Sequence, residues 1–262
     1  VSRRWPNPTG PTEWERPGAG GGGGGTNPIA TLSPILWLDA SQENAPDGQA
    51  LSAVPDRGAH SQHLAVTGSG WTYSATGGPG GAPCYVLDGA SYADVALPAY
   101  PAGGAPGLTV AAVLRLSAFS TWPEICQIGK DHATAYAAWQ FVISNAGAIY
   151  AACYGGDANE RYSANGIAST SWGLVAWQVK GGEALSATNP TFWTGDGQQA
   201  SLQGLGANMP NITVNHIRVG GNLQAPASQL LTGKIAELVV LASDSTDDRT
   251  ALIAALKAKY GL

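Results

Sequence analysis

Charge is scarce in this chain. Lys, Arg, Asp and Glu make up 12 % of its 262 residues, about half the share in an average globular protein. The charges sum to −5 and the pI is near 5.2. An acidic balance lacks the basic stripe that a nucleic-acid partner needs, which excludes DNA and RNA. No run of about 18 consecutive apolar residues occurs, so no membrane-spanning helix is predicted. The opening Val1-Ser2-Arg3-Arg4-Trp5-Pro6 lacks the apolar stretch of a signal peptide, and none is expected. Cysteine is sparse and odd in number: Cys84, Cys126 and Cys153 close one bridge at most, and buried free thiols are the simpler expectation.

Glycine and tryptophan are abundant instead, at 36 and 9 residues, and 44 % hydrophobic content suffices for a substantial core. Residues 1–30 differ from the rest. Pro6, Pro8, Pro11, Pro17 and Pro28 accompany an unbroken glycine run from Gly20 to Gly25 that includes Gly22. Such a segment builds neither a helix nor a ladder and reads as an extended arm. Trp5 and Trp14 are bulky anchors with no role in a purely solvating tail. The expectation is therefore a docking arm, with Trp5, Pro6, Trp14, Pro17 and Gly22 ordered against a partner's surface; a solvated linker is the alternative.

Residues 31–262 read as one all-β domain. Short apolar or alternating runs recur between Gly, Pro, Asn and Asp clusters. Strands are predicted over residues 35–39, 85–87, 92–95, 108–116, 124–128, 139–144, 148–154, 173–180, 191–194, 216–219 and 234–241. Asn145-Ala146-Gly147 and Asp196-Gly197 carry hairpin chemistry, which predicts antiparallel pairing across each. The runs 108–116 and 235–241 are apolar at nearly every position and belong mid-sheet with both faces covered. Near the end the period changes: Leu252, Ile253, Leu256 and Tyr260 lie at helical spacing. Ser245 with Asp248 reads as the N-terminal cap of this helix and Gly261 as its terminator. No internal repeat is present, which disfavours a propeller or solenoid.

Pro34-Ile35-Leu36-Trp37-Leu38-Asp39-Ala40, Asp56-Arg57-Gly58 and Val86-Leu87-Asp88-Gly89, with the late run from Gly233 to Leu241 and the close from Asp247 to Gly261, resemble the laminin G-like domains of the concanavalin A-like lectin/glucanase superfamily. The resemblance spans roughly residues 34–261. It implies a two-sheet antiparallel jelly-roll sandwich with one C-terminal α-helix. It does not fix a function, since such domains serve as lectins, adhesion modules, glycosidases and virion components.

Glycosidases on such a fold need two carboxylates on one strand face, as Glu-x-Asp-x-Glu supplies through period-2 alternation, and that triplet is absent. Asp157 and Glu160 read as loop residues, and Asp244, Asp247 and Asp248 read as helix-start acids. Gly-x-Ser-x-Gly is also absent. His60 and His63 lack a third metal ligand. No cofactor is expected; calcium, held by Asp157 with Asn159 or by Asp88 with Asp94, is the one metal the loops could order. Sugar stacking calls for exposed aromatic rings, and Trp71, Tyr73, Trp122, Tyr154, Tyr162 and Trp193 lie in or beside predicted loops. Trp37, Trp139, Trp172 and Trp177 belong to apolar runs and read as core. Glu237, alone among apolar residues, is expected to pair with Arg218 or Arg57.

The primary expectation is a non-catalytic structural or adhesive module: a bacteriophage virion protein, head decoration or tail-associated, docked on other virion proteins by its arm within an oligomeric assembly. The alternatives are a lectin-like carbohydrate-binding module that meets surface glycans, extracellular or on a cell surface, and a glycoside hydrolase with an unusual acidic pair.

Overall fold

The computed structural model describes residues 27–97, 107–117, 122–129, 137–144, 147–155, 158–164, 171–181, 189–199, 201–203, 215–221 and 229–262. In chain order the strands are β1 (Leu36–Asp39), β2 (Ala53–Val54), β3 (Leu64–Thr67), β4 (Trp71–Ser74), β5 (Cys84–Asp88), β6 (Tyr92–Ala96), β7 (Leu108–Leu116), β8 (Glu124–Gly129) and β9 (Ala137–Ile143). They continue with β10 (Ile149–Gly155), β11 (Ala158–Ala164), β12 (Gly173–Val179), β13 (Thr191–Thr194), β14 (Gly197–Gln199), β15 (Ser201–Gln203), β16 (His216–Val219) and β17 (Thr232–Leu241). Helix α1 (Thr246–Tyr260) closes the chain. Among the described residues no helix is long and apolar enough to cross a membrane.

Two antiparallel sheets form a sandwich, as the strand pattern and the resemblance both implied. One has eight strands in the order β14-β13-β12-β7-β17-β5-β4, with β1 also paired to β17. The other has nine, in the order β15-β11-β10-β9-β8-β16-β6-β3-β2. β7 and β17 lie mid-sheet as their unbroken apolar runs require. Leu108, Val110 and Ala112 of β7 face the core between the sheets. Ala111 and Val113, on the opposite face, join a second apolar cluster with Leu252, Leu256 and Tyr260 of α1. The eight-stranded sheet is thus the middle of three layers, which explains why its central strands could not alternate.

Both expected hairpins form: β9 pairs with β10, and β13 with β14. Gly147 takes φ 75° in the first turn, a left-handed backbone that glycine adopts without strain. β2, β3, β4, β11, β14 and β15 were not predicted. They are short or polar, so period alone could not separate them from loops. β11 corrects the reading of Glu160 as a loop residue, because Glu160 pairs with Cys153 of β10.

The ends of α1 follow the cap chemistry. Ser245 Oγ accepts from the Asp248 amide, and Gly261 at φ 66° ends the helix. Asp248 Oδ2 accepts from Ser243 Oγ at 2.6 Å and Asp244 Oδ2 from the Gly181 amide at 2.9 Å, so these acids serve local structure.

The partner expected for Glu237 is corrected. β1 and β17 place Asp39 directly opposite Glu237, and Lys259 of α1 reaches both, with Nζ 2.8 Å from Asp39 Oδ2 and 2.7 Å from Glu237 Oε2. Trp37 Nε1 and Tyr260 OH also donate to Glu237, at 2.7 and 2.9 Å. Arg57 instead donates to the Gln42 carbonyl, and Arg218 lies on the other sheet. Burial, then the Asp39 charge, raises the Glu237 pKa against the opposing pull of Lys259 and Trp37. The cluster clamps the helix onto the sheet.

The arm residues Trp5, Pro6, Trp14, Pro17 and Gly22 lie outside the described residues. Ile29, within the span assigned to the arm, is 2 % exposed and packs into the helix-side cluster, so folded structure starts before residue 31.

Candidate functional site

The nine-stranded sheet has one apolar face and one polar face. Cys126, Ile128, Phe141, Ala151, Ile217 and Val219 point into the core. Strand alternation sends their neighbours to the far side. There the register aligns Asp94 of β6 with Arg218 of β16, Arg218 with Gln127 of β8, and Gln127 with Gln140 of β9. Four successive strands thus contribute polar side chains to one lateral row. Gln127, Gln140 and Arg218 are nonetheless buried, at 0, 2 and 7 % exposure.

A β-bulge adds a carboxyl to the same face. Glu124 and Gln127 are three positions apart and would point to opposite sides of a regular strand. The pairing of β8 with β9 shifts register between Glu124 and Cys126, so Glu124 sits opposite Val142 while Gln127 sits opposite Gln140. Val142 and Gln140 share a face, and the extra residue returns Glu124 to it. The sequence offers no signal for this shift.

The two acids of this face behave oppositely. Arg218 Nη2 donates to Asp94 Oδ2 at 2.7 Å, His216 Nε2 lies 3.4 Å from the same oxygen, and the Arg218 guanidinium stacks 4.0 Å over the Tyr92 ring. Burial alone would raise the Asp94 pKa, but the hydrogen bonds and charges of His216 and Arg218 outweigh it and hold the carboxyl below its usual range. Glu124 is 0 % exposed, and neither of its carboxyl oxygens has a hydrogen-bond partner. Burial pushes its pKa well above the usual range, opposed only in part by the Arg218 charge. Asp94 is therefore held in its ionised form, while burial biases Glu124 towards its neutral form.

An aromatic pair continues the row of Glu124. Val142 separates Glu124 from Tyr150 of β10, so Tyr150 stands two strand spacings away, roughly 10 Å by sheet geometry. Trp122 packs against it with ring centroids 4.8 Å apart and planes at 67°. Both rings are half-buried. Trp122 takes φ 52°, a left-handed backbone rare for a bulky residue and of the kind concentrated at binding sites.

The predicted stacking residues divide. Trp122 lies on this face. Trp71 and Tyr73 are corrected to core: β4 buries them at 0 and 3 % exposure, with Trp71 6.0 Å from the Tyr85 ring. Trp193 is corrected likewise, because it is 8 % exposed under α1 with the Arg249 guanidinium 4.1 Å over its ring. Tyr154 is placed opposite Ala138 and Asn159, and Tyr162 opposite Ala151, by backbone register alone. Of the expected calcium ligands, Asp88 accepts from the Ala90 amide and Ser91 Oγ, and Asp94 is engaged by Arg218. Asp157 lies outside the described residues. Among the described residues no cluster of three or more metal-ligating side chains forms. Sequence reasoning passed over Glu124, Gln127 and Gln140, because their chemistry comes from juxtaposition across strands.

The fold is a two-sheet antiparallel β-sandwich of the jelly-roll kind with one C-terminal helix. No protein-family model matches the chain, and no curated protein does. Among solved structures, domain 4 of AbnA, an extracellular arabinanase from Geobacillus stearothermophilus, in complex with arabinotriose, aligns with TM-score 0.56 and 15 % identity over 85 % of this chain and 98 % of that one. The binding domain of botulinum neurotoxin DC in complex with SialylT aligns with TM-score 0.55 and 10 % identity over 86 % of this chain and 52 % of that one. Identities this low establish shared architecture and nothing finer.

Proposed function

We propose that this chain is a non-catalytic, lectin-like carbohydrate-binding module of the concanavalin A-like type, acting in an extracellular setting and holding a saccharide on the polar face of its nine-stranded sheet. The observation that carries the reading is the row of Asp94, Arg218, Gln127 and Gln140 with Trp122 and Tyr150 beside it. A sugar ring offers hydroxyls to polar side chains and C–H faces to aromatic rings, and the partly exposed members of this face, Asp94, His216, Trp122 and Tyr150, include both kinds. Two neighbours in fold, the AbnA domain and the neurotoxin domain, are complexes with arabinotriose and SialylT, which favours sugar binding over a virion role. The virion reading rests on the arm, whose anchors lie outside the described residues.

A glycan array followed by calorimetry tests the proposal. The chain should bind at least one oligosaccharide, and Trp122→Ala should weaken that binding by about tenfold, the order of one lost stacking contact. Silence across a broad array, or affinity unchanged in Trp122→Ala, overturns it.

One observation favours a second reading, glycoside hydrolysis: two carboxyls on one face whose pKa values are driven apart, Glu124 upward and Asp94 downward. It ranks behind because Arg218 engages Asp94 at 2.7 Å and Glu124 is out of contact with water. Release of reducing ends that vanishes in Glu124→Gln would promote it.

A further inference from the structure

The polar face of the nine-stranded sheet is not covered evenly. Along the row of Asp94, the inward positions Arg218, Gln127 and Gln140 are buried. Outward, the same row runs through Ala65 of β3, directly opposite Asp94, to Ala53 of β2, directly opposite Ala65. Both alanines are exposed, and so is Ala96, two residues along β6 on the same face and opposite His216. Side chains of one carbon leave the space above them open, so an apolar shelf borders the carboxylate. Tyr92, half-buried and two residues from Asp94 in the other direction, closes one side with the Arg218 guanidinium 4.0 Å over its ring. The Asp94 side chain is 21 % exposed. Arg218 and His216 both engage its Oδ2, at 2.7 and 3.4 Å, and among the described residues no group donates to Oδ1.

We propose that Asp94 and the alanine shelf beside it form a subsite for one sugar ring, with Asp94 Oδ1 accepting from a ring hydroxyl while the ring's C–H face rests on Ala65 and Ala96. The inference rests on the carbohydrate-binding reading and names the sugar group that is taken, an uncharged hydroxyl donor. An ionised carboxylate only accepts, so its partner has to donate, and such charge-assisted bonds are about twice as strong as neutral ones. Arg218 balances the charge of Asp94 from the buried side, so the ligand supplies a donor and need not supply a cation. A sugar ring carries hydroxyls on its rim and C–H groups on its faces. Laid flat on the methyl groups, it turns a rim hydroxyl towards the carboxylate beside them. Two strand spacings separate β2 from β6, a shelf roughly 10 Å across, which is room for one ring.

Calorimetry on the full chain at neutral pH would titrate a neutral panel of arabinotriose, cellotriose and lactose. At least one should bind, and for that sugar Asp94→Asn, which removes the charge of the acceptor, should weaken binding by about tenfold. Because Asp94→Asn also unpairs Arg218, a second variant separates contact from folding. Ala65→Gln fills the shelf from an exposed position and should leave the melting temperature within about 2 °C of wild type, while weakening the same sugar by about tenfold or more. Wild-type affinity in Ala65→Gln, or in a folded Asp94→Asn, overturns this inference; the carbohydrate-binding reading then stands if Trp122→Ala still weakens binding. The cationic probe Nα-acetyl-lysine amide binding more tightly than every sugar of the panel, and losing that binding in Asp94→Asn, also overturns it, since Asp94 would then serve a charge. A panel that does not bind at all overturns both.

Discussion

Replacing Lys259 by Met tests how the helix is held. The side chain is 28 % exposed, while Asp39 and Glu237 are fully buried. Removing the amine strands two carboxylates beside one another: Glu237 keeps bonds from Trp37 and Tyr260, and Asp39 keeps those from Ser41. Breaking a buried pair by deleting one partner costs about 3–5 kcal/mol, a large part of the roughly 5–15 kcal/mol that stabilises a typical domain. At about 2–4 °C per kcal/mol for a protein of this size, the melting temperature should fall by roughly 6–20 °C. Calorimetry and urea denaturation read this directly. The triple variant Asp39→Asn, Glu237→Gln, Lys259→Met removes the stranded charges along with the amine and should recover most of the loss. A drop below about 1 kcal/mol in Lys259→Met, or a triple variant no more stable than the single one, would refute the view that electrostatic pairing fastens α1.

Other outcomes follow from the same physics. Folding raises the Glu124 pKa, so the stability tied to this group is complete below the ordinary glutamate range and is lost as pH rises towards the folded value. Glu124→Gln should flatten that decline and be the more stable protein at neutral pH, read by urea titrations across a pH series. Burial pushes the Cys84 thiol up to about 11 and the Cys126 thiol well above its usual value; in a Cys153→Ser background neither should react with a thiol reagent until the protein unfolds. Leu256→Ala, at a fully buried position between helix and sheet, should cost about 2–5 kcal/mol in denaturation measurements.

Much of the architecture was legible in the residues because local chemistry dictates it. The unbroken apolar runs of β7 and β17, the hairpin residues around Gly147 and Gly197, and the Ser245 and Gly261 caps each carry their own signal. Such features depend on neighbours close in sequence, which propensity and period report. Trp71 and Trp193 were misread for the opposite reason: flanking glycines mark a nearby turn but say nothing of whether a sheet or a helix will cover the ring.

The amino-acid order by itself determined that two sheets and one helix would form, and that aromatic and polar groups would be available for a ligand. Tertiary structure alone decided which of them meet. Lys259 finds Asp39 across 220 positions and Glu237 across 22. A one-residue bulge in β8 turns Glu124 onto the face of Gln140 and Arg218. A strand's side-chain period is short-range, whereas register is fixed by the packing of the whole sheet, so the candidate site exists only once the strands are paired.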